Sequence, residues 1–430
     1  MMEKPLESFF FLLGCAIHQK DAADQLKSNP DLLKQLKETD WQEFAHLAAS
    51  TKTLAVLYST VSQCADMVGI DGALVKLWQK RSLGLMLREL DKYKSVYALL
   101  AEAKKRELMI VVFKGVILAD LYPQYTQRTS HDMDIWVYDA DKSSAVRMLE
   151  ELGYCRDQKS SKDHVQVYVR SHPSHVVELH TRLWEDYEGE KINIIESMSL
   201  TSKETLIEMQ VCGLDILALG HGQHLVYQIF HIIKHFMLEG VGIRYLIDIV
   251  LFVEAYANQI DFNLFWESMD SLGYTKFCRH LFAICIKYLG MDPGILKEEN
   301  TREDPETRIL LEDMLRAGPS YNKTAGWQIL GAMTPYFTGE KEVRRSQMGR
   351  ALDVIFLRPK DLTKGYSYAK KCVILLPIAW VHRAYKYLTG WLANKKYFYS
   401  INEKLDVTEH RLHLMSGLGL VNEKGKRTSG

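Results

Sequence analysis

Several things are missing from this 430-residue chain, and each absence removes a class of explanation. Lys plus Arg equal Asp plus Glu at 54 each, so no global basic field advertises nucleic-acid binding. The seven cysteines (Cys15, Cys64, Cys155, Cys212, Cys278, Cys285 and Cys372) show no C-x-x-C pairing, which argues against a zinc ribbon or a disulfide frame. Reduced thiols and a cytoplasmic setting are the expectation. There is no internal repeat, no low-complexity tract and no apolar run long enough to span a membrane. Val373 to Trp380 is apolar but short, and His382, Arg383 and Lys386 follow it. Leu12-Leu13-Gly14-Cys15 looks like a lipoprotein cleavage box, yet Glu3 and Glu7 precede it and the run Phe9–Leu13 is too short for a signal core. An amphipathic first helix is expected there.

What is present is an ordinary globular composition, 47% hydrophobic and 25% charged, in a chain long enough for two or three cored domains. Residues 1–107 read as a helical region with no strand pattern. Asp40 stands as an N-cap before Trp41–Ala48, and Ala73–Lys105 is rich in strong helix formers. Strand patterns are expected only between 108 and 180. Leu108–Phe113 is a short buried strand and Gly115–Leu121 a short helix stopped at Tyr122-Pro123. Asp132–Val137 is a second strand, and Asp139–Leu152 a helix closed by Gly153. The runs 164–170 and 175–180 form a hairpin. The expected fold is α+β: an αβ core over 108–200 with a small mixed sheet, a helical region over 201–415, and a polar tail over 416–430.

The chemistry lies in residues 113–137. Asp132 and Asp134 are two residues apart in an apolar strand, so both carboxylates point to one face. Paired buried carboxylates repel unless a cation sits between them, and Mg²⁺, which takes carboxylate and phosphate oxygens, suits that place. Blander readings of the same residues stand alongside. Asp132 could cap a turn, Asp134 could pair with Arg128, and Glu178 could be a solvated strand residue. Lys114 could be an ordinary surface lysine, and His131 and His180 hydrogen-bonded structural residues. Arg244 and Asp248, four apart, fit a helix-surface ion pair. His224, His231 and His235 share a helical face, and packing or cleft lining suits them better than a metal site.

Phe113-Lys114-Gly115, Arg128, Asp132-Met133-Asp134, Val177-Glu178-Leu179-His180, Gly242-Ile243-Arg244 and Asp248 together resemble the uncharacterised nucleotidyltransferase family of the DNA polymerase β-like superfamily. The resemblance covers roughly residues 35 to 270. It implies that Asp132, Asp134 and Glu178 are catalytic and hold Mg²⁺ or Mn²⁺. Lys114, Gly115, Arg128 and Arg244 would then face an NTP such as ATP. Lys114-Gly115 stands where the superfamily usually has Gly-Ser or Gly-Gly. The implied activity moves a nucleoside monophosphate from an NTP onto an acceptor that the sequence does not name: a protein, an RNA end, or a small molecule such as an antibiotic or sugar phosphate. The alternative is a non-catalytic nucleotide- or partner-binding protein on the same fold. A sugar transferase using Asp-x-Asp fits less well, because residues 1–107 lack the upstream strands such folds need.

Overall fold

Asp40 and Asp71 show how this sequence starts its helices. Asp40 accepts hydrogen bonds from the N–H groups of Gln42 and Glu43, and Asp71 accepts one from Ala73, satisfying donors that a helix start leaves free. In the computed structural model, which describes residues 3–130, 132–161, 164–183, 191–238, 240–296, 304–316, 366, 368–369, 373–393, 411 and 413–421, the first region is helical as expected. It holds α1 (Glu3–Ile17), α2 (Ala22–Lys27), α3 (Pro30–Lys37), α4 (Trp41–Ser50), α5 (Leu54–Val68) and the long α6 (Gly72–Lys105). Trp78 of α6 is buried and donates its indole N–H to the Leu54 carbonyl at 3.0 Å, tying α6 to α5.

The alternation then changes to the two-residue period of strands. The order is β1 (Ile110–Phe113), α7 (Gly115–Asp120), β2 (Met133–Val137), α8 (Lys142–Glu151), β3 (Cys155–Arg156), β4 (Val165–Ser171), β5 (Ser174–His180), α9 (Ile192–Ser197), β6 (Leu206–Val211) and β7 (Leu214–Leu219). These strands make one seven-stranded mixed sheet in the order β3-β4-β5-β2-β1-β7-β6. The expectation of strands confined to 108–180 is corrected here, because β6 and β7 add two strands past residue 200 on the β1 side. Their turn is Cys212-Gly213, with φ of 50° and 76°. Two successive positive φ values let the hairpin turn match the strand twist. The usual Asn-Gly or Asp-Gly signal is absent from the sequence, and that hid the hairpin.

Register decides which face carries what. Phe113 lies opposite Asp134, Val111 opposite Trp136, Asp134 opposite Glu178, and Trp136 opposite His180. All of these side chains therefore share one face. Val111, Phe113, Trp136, Leu219 and Tyr227 form an apolar cluster there. Tyr227 belongs to α10 (His221–Leu238), which follows β7 directly; α11 (Arg244–Ala255), α12 (Phe262–Ser271) and α13 (Thr275–Leu289) come next.

The chain divides into two units, Met1–Ile233 with Val241–Glu303, and Lys234–Gly240 with Asp304–Gly430. The sheet and everything around the carboxylates belong to the first. Within the second, α14 (Pro305–Arg316) and α15 (Leu376–Ala393) are described. No helix among the described residues is long and apolar enough to cross a membrane. The six described cysteines are free thiols. His131, Cys372, most of the loop 297–306 and the tail from residue 422 lie outside the described residues.

Candidate active site

β2 and β5 run parallel, so Asp134 and Glu178 stand side by side, with His180 one pleat further along the same face. Ligand atoms of Asp134, Glu178 and His180 all lie within 4.8 Å of one another. His180 Nε2 is 3.2 Å from Asp134 Oδ1 and 3.5 Å from Glu178 Oε2. Asp132 lies just before β2. Its oxygens stand outside that tight group, but its charge is felt there: burial first, then the neighbouring Asp134 and Glu178, push its pKa upward. Asp134 goes the other way. Burial alone would raise it, yet the Lys114 charge and the His180 hydrogen bond hold its carboxyl well below the usual range. Burial alone would raise Glu178, but the His180 hydrogen bond together with the Lys114 and His180 charges lowers it. Two of the three expected carboxylates, Asp134 and Glu178, thus come together with His180, and Asp132 stands near enough for its charge to be felt.

Lys114 is the cation at this cluster. Its Nζ lies 2.8 Å from Asp134 Oδ1, and the side chain is nearly buried. The Phe113 and Tyr227 rings stand at 5.6 and 5.5 Å from the ammonium, within cation–π range. Burial opposes its charge, but Asp134 overrides that and raises the pKa. The backbone N–H of Lys114 donates to His224 Nε2 at 3.0 Å, which requires His224 to be neutral at that nitrogen. Burial pushes His224 down to about 3, consistent with that role. Lys114 has φ 56° and ψ −117°, a region L-residues rarely adopt and one that costs of order ~1–3 kcal/mol.

Arg128 is not placed as a free phosphate binder. Its Nε and Nη2 donate to Asp248 at 2.8 and 2.9 Å, and Nη1 donates to the Gly115 carbonyl at 3.2 Å. Tyr122 also donates to Asp248, at 2.8 Å. Neither Asp132 nor Asp134 takes Arg128, and Asp248 takes Arg128 in place of Arg244; the i,i+4 pair is therefore not formed. A buried bidentate pair between the segment before β2 and α11 outcompetes a surface pair because the guanidinium fork matches the carboxylate and little water competes. Gly115 opens α7, only six residues long, and a Cβ there would meet the Asp132 carbonyl at 3.5 Å, an ordinary contact. The helix dipole at such a short helix is small, so charge for a phosphate must come from side chains.

Arg244 is a cation whose charge acts on Asp132. Nη1 donates to the Thr129 carbonyl at 3.0 Å, while Nε is buried with no hydrogen-bond partner. As the first residue of α11 it sits at the positive end of a helix, which would disfavour a cation unless the acidic cluster drew it there. Lys52 is another cation near Asp132, and nothing in the sequence pointed to it. It occupies the turn between α4 and α5 at φ 60°. Burial and then the nearby Arg244 lower its pKa to about 8, while Asp132 pulls the other way.

The segment that delivers Asp132 is also fixed from α6. Glu89, buried, pairs with Lys92 at 2.7 Å and accepts the Ser130 hydroxyl at 3.2 Å, while Lys92 donates to the Ser130 carbonyl. The helical histidines pack or orient rather than gather. His221 stacks on Tyr256 at 3.9 Å, His224 holds the Lys114 backbone, and His231 lies against Tyr227 and Tyr245. Among the described residues the only group of three or more metal-binding side chains is Asp134, Glu178 and His180.

A divalent ion fits the chemistry of this donor set, which offers carboxylate oxygens and one imidazole nitrogen on a buried face. Two cations, Lys52 and Arg244, lie near enough to Asp132 for their charges to act on it or be acted on by it. A family profile described as "Uncharacterised nucleotidyltransferase" matches residues 37–290, more than half of the chain. One solved structure, titled as a solution structure of the antibiotic-resistance factor ANT(2'')-Ia, is similar at a TM-score of 0.30 and 14% identity, over 44% of this chain and 91% of that one. No curated protein matches the chain.

Proposed function

The chain belongs to the uncharacterised nucleotidyltransferase family, and on that premise we propose that it transfers a nucleoside monophosphate from an NTP to an acceptor hydroxyl, with divalent-metal help, at Asp132, Asp134 and Glu178. The observation that carries this reading is the in-register pairing of Asp134 with Glu178 on adjacent parallel strands, beside Asp132. A bound Mg²⁺ or Mn²⁺ would be held by these carboxylates, with His180 beside them, and would screen the triphosphate and polarise the α-phosphoryl group.

The protein's own groups do the positioning. Arg244 and Lys52 face the triphosphate and offset its charge. Lys114 keeps Asp134 ionised and still. The Arg128–Asp248 pair fixes the start of α7 against α11, and Glu89 with Lys92 fixes the approach to β2. The acceptor oxygen bonds to the α-phosphorus as the bond to the β-phosphate bridging oxygen breaks, and pyrophosphate leaves. Glu178, whose side chain is 30% exposed against 3% for Asp134, is the carboxylate an entering acceptor reaches, and it takes up the hydroxyl proton.

The domain organisation consistent with this is an αβ core whose helical flanks build the acceptor side of the cleft. The test is labelling. Protein, divalent metal, cell lysate and each α-labelled NTP in turn are incubated, and the labelled molecule is identified. Asp134→Asn should slow labelling at least 100-fold, from a loss of ~3 kcal/mol or more of transition-state stabilisation. Labelling at the wild-type rate in a folded Asp134→Asn protein would overturn the proposal.

A further inference from the structure

Lys114 combines two features that the roles above leave unexplained. Its backbone takes a conformation suited to glycine, φ 56° and ψ −117°, although it carries a long side chain. Backbone strain at a residue that could be glycine persists only when something else holds the residue there. Here the holding is extensive: the N–H is bonded to His224, the ammonium stands within cation–π range of the Phe113 and Tyr227 rings, and it sits 2.8 Å from Asp134 Oδ1. That oxygen also faces His180 Nε2 at 3.2 Å. One lone-pair position of a would-be metal ligand is therefore already taken by a fixed positive charge in a nearly buried place.

Two divalent ions sharing these carboxylates would both need Asp134 oxygens. A second ion bound through Oδ1 would lie within a few ångströms of the Lys114 ammonium, and two cations at that separation in a buried site repel strongly. Retreat of the ammonium would break its ring contacts and its ion pair with Asp134. We propose that the Lys114 ammonium stands in for one of two divalent ions, so that the nucleotide complex of this protein holds a single divalent ion per chain. The inference rests on the nucleotidyl-transfer reading and specifies its metal requirement. The remaining ion would take the free oxygens of Asp132, Asp134 and Glu178.

Counting bound Mn²⁺ tests this directly. Free Mn²⁺ gives a six-line electron paramagnetic resonance signal that bound Mn²⁺ loses. The full chain is titrated with MnCl₂ in the presence of α,β-methylene analogues of ATP, GTP, CTP and UTP, which cannot be cleaved at the α–β linkage. Wild type should bind one Mn²⁺ per ternary complex. Lys114→Gly removes the ammonium and suits the backbone conformation, so the chain should fold, and it should bind two. Lys114→Met, which keeps an apolar side chain of similar length without the charge, should also bind two. Asp134→Asn should weaken the wild-type ion at least tenfold, which separates the site from surface carboxylates. Two ions per complex in wild type would overturn the surrogate-cation role and leave nucleotidyl transfer standing. One ion in both Lys114 variants would likewise overturn it. No ion with any analogue would overturn both this inference and the transfer reading.

Discussion

Replacing Asp248 with alanine should destabilise the sheet-bearing unit by about 3–5 kcal/mol, the range for stranding one member of a buried ion pair. The structure supplies each part of that figure. Arg128 and Asp248 are 5% and 2% exposed, so water cannot replace a lost partner. The substitution removes the acceptor of two guanidinium bonds, at 2.8 and 2.9 Å, and of the Tyr122 hydroxyl at 2.8 Å. The pair also sets the carboxylate: burial would raise the Asp248 pKa, but Arg128 holds it below the usual range. Removing both charges should hurt less. Arg128→Met with Asp248→Leu leaves only Tyr122 and the Gly115 carbonyl without partners, a cost of about 1–3 kcal/mol. Urea unfolding of wild type, Asp248→Ala, Asp248→Leu, Arg128→Met and the double variant, followed by far-ultraviolet circular dichroism, closes the cycle. An Asp248→Ala protein within ~0.5 kcal/mol of wild type, which is the behaviour of an ordinary surface site, would refute the reasoning. So would a double variant no better than the single. A triphosphate-binding Arg128, by contrast, would show up in the salt dependence of nucleotide affinity, with stability unchanged in its absence.

His224 and His175 should make the protein acid-sensitive. Burial lowers them to about 3 and about 4, so below ~6.5 the unfolded chain takes up protons that the folded chain refuses, and stability falls as pH drops from ~6.5 towards 4 with a slope approaching ~1.4 kcal/mol per unit for each. His224→Gln and His175→Gln should each flatten that acid limb in melting curves from pH 4 to 7; an unchanged slope would count against the assignment. His180, raised because its hydrogen bonds to Asp134 and Glu178 outweigh burial, acts oppositely: its contribution is complete below ~6.5 and is lost as pH rises through its folded pKa. Lys52, lowered to about 8 mainly by burial, should lose charge just above neutrality, so NTP affinity should weaken between pH 7 and 9 in wild type. Calorimetric titration of Lys52→Met at both pH values should show that dependence gone; an identical pH dependence in the variant would remove Lys52 from the nucleotide side. Glu89→Ala should cost about 1–3 kcal/mol by stranding Lys92 and the Ser130 hydroxyl, and should weaken Mn²⁺ binding by loosening Asp132; unchanged metal affinity would place the clamp outside the site.

Local pattern carried much of this architecture. The helices before residue 107, β1, β2 and the β4–β5 hairpin follow from apolar spacing, caps and turn residues, which act within a few positions. The β6–β7 hairpin did not, because Cys212 takes a positive φ that tertiary packing, not its own preference, must enforce. The carboxylates Asp132, Asp134 and Glu178 were visible because acidic residues in apolar strands are costly and therefore informative. Their partners were not. That Lys114 lies on Asp134, that Asp248 takes Arg128, and that Lys52 comes near enough to Arg244 to feel its charge are all consequences of long-range packing. No spacing rule links residue 52 to residue 244, or residue 114 to residue 224.

Nucleotidyl transfer is defined by which bond of the nucleotide is broken. Parallel incubations with α-labelled and γ-labelled NTP, divalent metal and the acceptor fraction measure this, with pyrophosphate followed in both. Transfer at the α-phosphorus should leave α-label on the acceptor and γ-label in pyrophosphate, in equal amounts. Transfer of γ-label to the acceptor, or release of inorganic phosphate without acceptor labelling, would contradict it.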